Sequence, residues 1–225
     1  MRKKNYFFIF STIWFLVFCG ETQDKIAQEF MPTAKGEIGS IMLVMDQQQW
    51  DHDLGIQLRG ILREPMPGLP QDEPFFHLNR VSPKKLNSTL KSSANMIFVV
   101  TLDSKTSESN VLKGFLTSES LRMIKLDTSL YMSIRKDEFA KGQIILYLFG
   151  NTEKDLSQKL KKNKERIQSL FEKRVRDRTV RKLFKSHEKS LEQVVQEAHS
   201  FQIRIPLGWQ QAANEPGFYL SLIHI

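Results

Sequence analysis

The chain has 225 residues, of which 40% are hydrophobic and 26% are charged, and it contains one cysteine. This composition is typical of a globular protein, and the length suffices for one large domain or two small ones. A single cysteine excludes a disulfide within the chain. The net charge of +8 is not spread evenly, because residues 153–198 hold 14 Lys and Arg against 8 Asp and Glu.

The first residues have the pattern of an export signal. Arg2, Lys3 and Lys4 precede an uncharged, apolar run at residues 7–18. A short cationic start followed by such a run is typical of a secretory signal peptide, and the run is too short to span a bilayer as a helix. A buried N-terminal core helix is the alternative interpretation.

The cysteine lies where this apolar run ends. Residues 16–19 (LVFC) resemble the lipobox of bacterial lipoproteins, in which the cysteine is acylated and becomes the new N-terminus. The resemblance predicts a signal peptide over residues 1–18 and lipid attachment at Cys19, which would hold the protein on a membrane. Residues 19–37 are then predicted to form a polar, lipidated tether. A signal peptide with an incidental cysteine is the alternative.

Apolar patterns predict the elements that follow. Short apolar runs predict strands at residues 38–45, 75–81, 96–102, 123–126, 131–135, 143–149 and 201–205. A helix over residues 47–63 is predicted because Asp46 can cap it and apolar residues recur at helical spacing from Trp50. Residues 153–198 lack Gly and Pro and predict a long helix region, with a break across residues 176–179.

This order of elements predicts an α+β fold. We expect a mixed, largely antiparallel sheet packed against one short helix and one long basic helix region. The domain is predicted to occupy residues 38–219.

A proline-rich segment is the first candidate surface. Four of the eight prolines fall within residues 65–74, which predicts an extended, stiff connector from helix to strand. The alternative is a recognition surface, since prolines lower the entropy that a segment loses on binding. Its candidate contact residues are Pro65, Pro67, Leu69, Pro70, Glu73 and Pro74.

The basic helix region is the second candidate surface. It could contact anionic lipid or glycan, although a solvated charged face would have the same composition. Its candidate contact residues are Lys161, Lys162, Arg174, Arg176 and Arg178. A nucleic-acid partner is not expected for an exported protein.

Motifs that carry chemistry are absent from the sequence. It contains no zinc-ligand spacing, no His-Glu-x-x-His, no Gly-x-Ser-x-Gly and no phosphate-binding glycine loop. The tight cluster Asp51-His52-Asp53 reads as the start of a helix, because consecutive helical side chains diverge. We therefore predict no catalytic residue, no metal and no cofactor.

Several segments resemble a domain-of-unknown-function family of Bacteroidota lipoproteins, the DUF4837 type. They are residues 39–50 (GSIMLVMDQQQW), 67–75 (PGLPQDEPF), 140–143 (AKGQ) and 205–209 (IPLGW), and the resemblance covers most of residues 36–219. It implies an envelope lipoprotein with a mixed α/β body that continues past the end of this chain. The family has no assigned activity.

The last six residues, 220–225 (LSLIHI), match the translation of a common sequencing adapter. We therefore expect a non-native tail and a domain that is incomplete at its C-terminus; a real apolar strand is the alternative.

The sequence as a whole favours a non-enzymatic interaction or structural module of the cell envelope, with an envelope protein or glycan as partner. The alternatives are an envelope hydrolase acting on peptidoglycan or peptide, and a lipid- or glycan-binding protein that uses the basic helix.

Overall fold

A computed structural model of the chain describes residues 30–223. The predicted signal peptide, Cys19 and most of the predicted tether lie outside the described residues. The described residues form two compact units. The first contains residues 30–36, 40–60 and 77–161, and the second contains residues 37–39, 61–76 and 162–223.

The first unit is built on a five-stranded sheet. Its strands are β1 (Ser40–Val44), β2 (His77–Val81), β3 (Asn95–Thr101), β4 (Met132–Lys136) and β5 (Ile144–Gly150). Their order is β2-β1-β3-β5-β4. The pairs β1–β2, β1–β3 and β3–β5 are parallel, and the pair β4–β5 is antiparallel.

The α+β class is confirmed by this arrangement, but the prediction of a largely antiparallel sheet is wrong. Every residue of β3 and β5 is buried. Strands that are buried on both faces are typical of parallel sheets, whereas antiparallel strands with one solvated face alternate between apolar and polar residues.

Helices connect these strands, and there are more of them than the one short helix predicted. They are α1 (Gln47–Asp51), α2 (Asp53–Leu62), α3 (Ser88–Lys91), α4 (Ser107–Lys113), α5 (Ser118–Leu126) and α6 (Glu153–Lys162). The predicted helix over residues 47–63 is confirmed as α1 and α2.

The helices α4 and α5 start at the same tetrapeptide, Thr-Ser-Glu-Ser. Thr106 Oγ1 accepts a hydrogen bond from Ser109 N (3.0 Å), and Thr117 Oγ1 accepts one from Ser120 N (3.1 Å). Such caps satisfy N–H groups that a helix leaves unpaired at its start. The strand predicted at residues 123–126 is therefore wrong, because these residues form the end of α5.

Apolar side chains cover both faces of the sheet. On one face Phe98 stacks on Tyr147 with ring centroids 5.0 Å apart, and both pack in a buried cluster with Leu112 of α4 and Ile124 of α5. Neighbouring residues along the strands, such as Ile97 and Leu146, point to the opposite face and are equally buried.

The helices α2 and α6 are joined to each other. Gln57 Nε2 donates to the backbone oxygen of Ser157 (2.8 Å), and the Ser157 hydroxyl donates to Gln57 Oε1. At the end of β5, a Cβ on Gly150 would lie 3.0 Å from Leu156 Cβ, so the close approach of α6 to this strand depends on glycine.

Residues before β1 and the edge strand β4 lie at the limits of the first unit. Ala34 N donates to Lys141 O (2.8 Å) and Ala94 N donates to Lys35 O (2.8 Å), so the folded body begins before residue 38. At the other side, β4 is an edge strand with exposed Arg135 and Lys136.

The second unit contains α7 (Lys164–Leu183), α8 (Lys189–His199) and a hairpin of β6 (Trp209–Glu215) and β7 (Phe218–Ile223). The predicted long basic region is thus divided between α6, α7 and α8. The break predicted across residues 176–179 is wrong, because α7 continues through them. Breaks lie instead at Asn163 and at residues 184–188.

The helix α7 continues through residues 176–179 because a helix turn exposed to solvent does not need an apolar residue. Arg176 Nη1 lies 3.4 Å from Glu172 Oε1, one turn earlier, and both side chains are largely exposed. A pair of this kind supports an exposed helix turn.

The strand predicted at residues 201–205 is also wrong. Ile205 N donates to Glu192 Oε1 (2.8 Å), and Ile205 O accepts from Glu188 N (2.9 Å). These bonds to Glu192 of α8 and to Glu188, directly before α8, use the N–H and C=O groups of Ile205 that would otherwise pair with a neighbouring strand. Residues 220–223 lie in β7; this placement leaves their predicted adapter origin untested.

Candidate functional site

The strand order places a crevice between β1 and β3. From β1 the chain moves to β2 on one side, and it then returns to β3 on the other side. In sheets of parallel strands, such a reversal leaves a crevice at the carboxyl ends of the strands, where ligands commonly bind.

A cleft of about 600 Å³ lies at this position. Its lining residues follow β1, β3 and β5, so they come from the carboxyl ends of three adjacent parallel strands of the first unit. We call it the switch-point cleft. It is lined by Gln48, Gln49, His52, Asp103, Ser104, Lys105, Thr106 and Glu153.

Gln49 is the most buried polar side chain of the lining, with 5% of its surface exposed. Its Nε2 donates to Thr101 Oγ1 (2.7 Å), and Thr101 is fully buried at the end of β3. Its Oε1 is buried and accepts no hydrogen bond from residues 30–223. A buried polar atom without a partner costs about 1–3 kcal/mol. Oε1 has less than 1 Å² of accessible surface, so a ligand that donates to it would remove this cost only if the Gln49 side chain turned toward the cleft.

Asp46 holds the backbone of Gln49 in place by hydrogen bonds. It is 1% exposed, and its Oδ1 accepts from Gln48 N (2.8 Å) and Gln49 N (3.4 Å) at the start of α1. Its Oδ2 accepts a hydrogen bond from the Thr106 hydroxyl, and Thr106 is the cap of α4. Asp46 therefore fixes the first residues of α1 against the loop after β3.

Glu108 holds the same region from outside the cleft. It accepts hydrogen bonds from Gln47 N (2.8 Å), from Arg80 Nη2 (3.0 Å) and from the Ser82 hydroxyl. Arg80 Nη2 also donates to Met45 O (2.9 Å). Polar contacts, most of them half-buried, thereby join the ends of β1 and β2 to the start of α4.

The opposite side of the cleft comes from the loop after β3 and the start of α6. Asp103 Oδ2 accepts from Glu153 N (3.2 Å). On the α1 side, His52 Nδ1 lies 2.5 Å from Gln48 O. Two carboxylates, one lysine, one histidine, two amides and two hydroxyl side chains therefore line one cleft. Among residues 30–223, no group of three or more His, Cys, Asp or Glu side chains is placed to hold a metal ion.

Sequence reasoning missed this cleft. Of the cluster Asp51-His52-Asp53, His52 belongs to the lining, whereas the Asp51 carboxylate accepts from Gln47 Nε2 (2.6 Å). The available signal was positional, because Asp46 and Asp103 each follow a buried apolar run directly. Parallel strands bring such residues to one edge of a sheet, and an antiparallel sheet does not.

The proline-rich segment is a closed loop of the second unit and not an extended connector. Pro65 and Pro74 face each other in an isolated antiparallel bridge. The hydrogen bonds of this bridge come from their neighbours, because Met66 N donates to Glu73 O (2.8 Å) and Phe75 N donates to Glu64 O (2.9 Å). Proline at a non-donating position is compatible with such a bridge. The tip, residues 67–72, is exposed and includes Pro67, Leu69 and Pro70.

The base of this loop is attached to the first turns of α7. Glu64 accepts from Lys164 Nζ (2.6 Å) and from Gln168 Nε2 (2.5 Å), and these bonds lower the pKa of the Glu64 carboxyl. Phe76 contacts Phe171 edge to face, with ring centroids 6.0 Å apart. The loop is therefore held on the N-terminal half of α7.

The predicted basic residues occupy different places. Lys161 and Lys162 are exposed at the end of α6. Arg174 and Arg178 are half-buried on α7, and Arg176 is exposed and paired with Glu172. Burial, followed by the charges of Arg174 and Arg181, lowers the pKa of Arg178. Three arginines thus lie close together on the C-terminal half of α7.

Fold and cleft together define an α+β protein with a polar cleft at the carboxyl ends of a mostly parallel sheet. Residues 34–184 match the domain of unknown function DUF8532, and the chain belongs to this family. The matched residues include the whole switch-point cleft, the proline loop and α7. No curated protein and no solved structure matches the chain. The finer resemblance to DUF4837-type lipoproteins is not confirmed by the family match.

Proposed function

We propose that the chain is a lipid-anchored protein of the cell envelope that binds a small polar ligand in the switch-point cleft without converting it. The observation that carries the binding proposal is the buried Oε1 of Gln49, which has no partner among the described residues, beside a polar cleft at the ends of three parallel strands. Polar groups that converge on a preformed cleft are typical of a small-molecule site.

Ligand-observed NMR with a library of small polar compounds tests the binding proposal. Compounds that show a saturation-transfer signal with the unmodified chain should lose this signal with the Gln49→Leu variant. They should keep it with Gln158→Leu, a matched substitution at an exposed glutamine of α6. Bound compounds should be recovered unchanged. Compounds that bind both variants equally would place the site elsewhere and contradict the proposal.

The envelope location rests on the sequence at the N-terminus. A cationic start, an apolar run and Cys19 are the pattern of a lipoprotein precursor, and the DUF4837-type resemblance points to the same compartment. Palmitate labelling of the unmodified chain and of Cys19→Ala in a bacterial host tests it. Label that disappears in Cys19→Ala supports acylation at that residue, and label absent from both chains contradicts it.

Hydrolysis in the cleft is a second candidate function. His52, Asp103 and Glu153 line the same cleft, and carboxylates and histidine are the usual acid and base groups of hydrolases. Digestion of purified peptidoglycan or of peptides would support this alternative if Asp103→Asn or Glu153→Gln abolished it. An intact substrate after incubation favours the binding module.

Binding of anionic lipid or glycan by α7 is a third candidate. Mutual proximity of Arg174, Arg178 and Arg181 creates a local positive potential. The Cys19→Ala chain, which lacks the proposed acyl anchor, should then float with vesicles that contain anionic lipid, and a rise in salt should release it. Flotation that does not distinguish anionic from zwitterionic vesicles would contradict this alternative.

A further inference from the structure

We infer that the ligand of the switch-point cleft carries a protonated amine and not a phosphate; this inference rests on the proposed binding function. It follows from which hydrogen-bonding groups in and around the cleft are already used and which are not.

Backbone N–H groups at helix starts are the usual phosphate-binding groups at a switch point. Here the protein's own oxygen atoms accept from several of them. Asp46 accepts from Gln48 N, Glu108 accepts from Gln47 N, and Asp103 accepts from Glu153 N. A phosphate would have to displace these carboxylates and would lie close to their charge. The cleft is therefore unsuited to an anion.

The carboxylates of the described lining outnumber its lysines. Within the described part of the chain, Gln49 contributes a carbonyl oxygen without a donor, and Asp103 and Glu153 contribute carboxylates against one lysine of the lining, Lys105. The buried carboxylate of Asp46 adds negative charge directly behind Gln49. A ligand that supplies N–H donors and positive charge would form charge-assisted bonds with the carboxylates, and it would satisfy Gln49 Oε1 once that side chain turned toward the cleft.

Three sugars that share one ring separate the possible ligand classes. D-Glucosamine carries an amine, D-glucose is neutral, and glucose 6-phosphate is anionic; cadaverine adds an amine without a sugar ring. Titration of the ¹⁵N-labelled whole chain with each compound should shift the side-chain amide of Gln49 most strongly with the two amines, and added salt should weaken their binding.

Variants of the cleft test the groups that we assign. Gln49→Leu, Asp103→Asn and Glu153→Gln should each weaken amine binding about tenfold or more, since each removes a charge or an acceptor. Asparagine and glutamine keep the oxygen or N–H that the local hydrogen bonds use, so these two variants should fold if Gln49→Leu does not. Asp72→Asn and Gln158→Leu are exposed controls and should bind as the unmodified chain does.

The outcomes distinguish this inference from the proposed function. Stronger binding of glucose 6-phosphate or glucose than of the amines, with shifts at Gln49, would overturn the amine inference and leave the cleft as a binding site. Amine binding that all three cleft variants leave unchanged would also overturn it. Failure of every compound to shift the cleft residues at millimolar concentration would count against both proposals.

Discussion

Replacement of Thr101 by valine tests the geometry on which the cleft depends. Thr101 Oγ1 accepts the hydrogen bond of Gln49 Nε2 at 2.7 Å, and both side chains are buried. Valine keeps the shape but removes the acceptor, so both ends of the Gln49 amide would lack a partner. Because an unpaired buried group costs about 1–3 kcal/mol, the free energy of unfolding should fall by about 2 kcal/mol.

Gln49→Leu should cost less than Thr101→Val. It removes the same hydrogen bond, at about 1 kcal/mol, but it also removes the uncompensated Oε1 from the interior. The double variant leaves neither polar group behind, so its stability should return to within about 1 kcal/mol of the unmodified chain. The double-mutant cycle should therefore give a coupling of about 1–2 kcal/mol.

Urea unfolding followed by Trp50 fluorescence measures these values. Trp14→Phe and Trp209→Phe in the background leave Trp50, next to Gln49, as the sole tryptophan. Equal urea dependence in all four chains would show that only native stability has changed. A loss with Gln49→Leu as large as that with Thr101→Val would mean that Oε1 has a partner in the folded protein, and the argument from Gln49 would fail.

Three further predictions concern the scaffold. Gly55→Ala should lower the free energy of unfolding by about 2 kcal/mol or more, because its Cβ would lie 2.0 Å from Trp50 O. Gly60→Ala in the same helix has open space and should raise stability by up to about 1 kcal/mol; equal effects in urea unfolding would contradict the packing. Glu108→Ala should cost about 2 kcal/mol because it leaves half-buried Arg80 without this carboxylate, whereas Glu119→Ala removes an exposed pair and should change little; thermal unfolding compares them. The N–H of Ile205, and then His187, lowers the pKa of Glu192 below its ordinary value of 4.5. The carboxylate of Glu192 therefore stabilises the fold above that value, and this stabilisation is lost as pH falls through the folded pKa. Glu192→Gln should lower Tm at neutral pH and not in strong acid, and an equal loss at both would contradict this.

The positions of the strands could be predicted, but their directions could not. Buried runs such as residues 96–102 and 143–149 identify β3 and β5 within a residue or two, because burial leaves a direct trace in composition. Direction depends on whether a helix crosses between two strands. The crossing helices α4 and α5 are short, and their signal is the repeated Thr-Ser-Glu-Ser cap more than apolar spacing.

The cleft could not be predicted, because three distant parts of the chain form it. Gln49, Asp103 and Glu153 lie about 50 residues apart in sequence and meet only through the order of β1, β3 and β5. The sequence also contains no feature that distinguishes Gln49 from its neighbours Gln47 and Gln48. Burial beside Thr101 is a tertiary property, and it is what makes one of the three a candidate ligand contact.

The cationic residues on the edge strand β4 affect how readily copies of this chain aggregate through their sheet edges. A strand at a sheet edge offers unpaired backbone groups to any other strand, and cationic side chains on it discourage such pairing. In β4, Arg135 and Lys136 are exposed at this edge. Two copies that met edge to edge there would bring like charges together. We therefore expect the protein to resist strand-to-strand aggregation along this edge at high concentration.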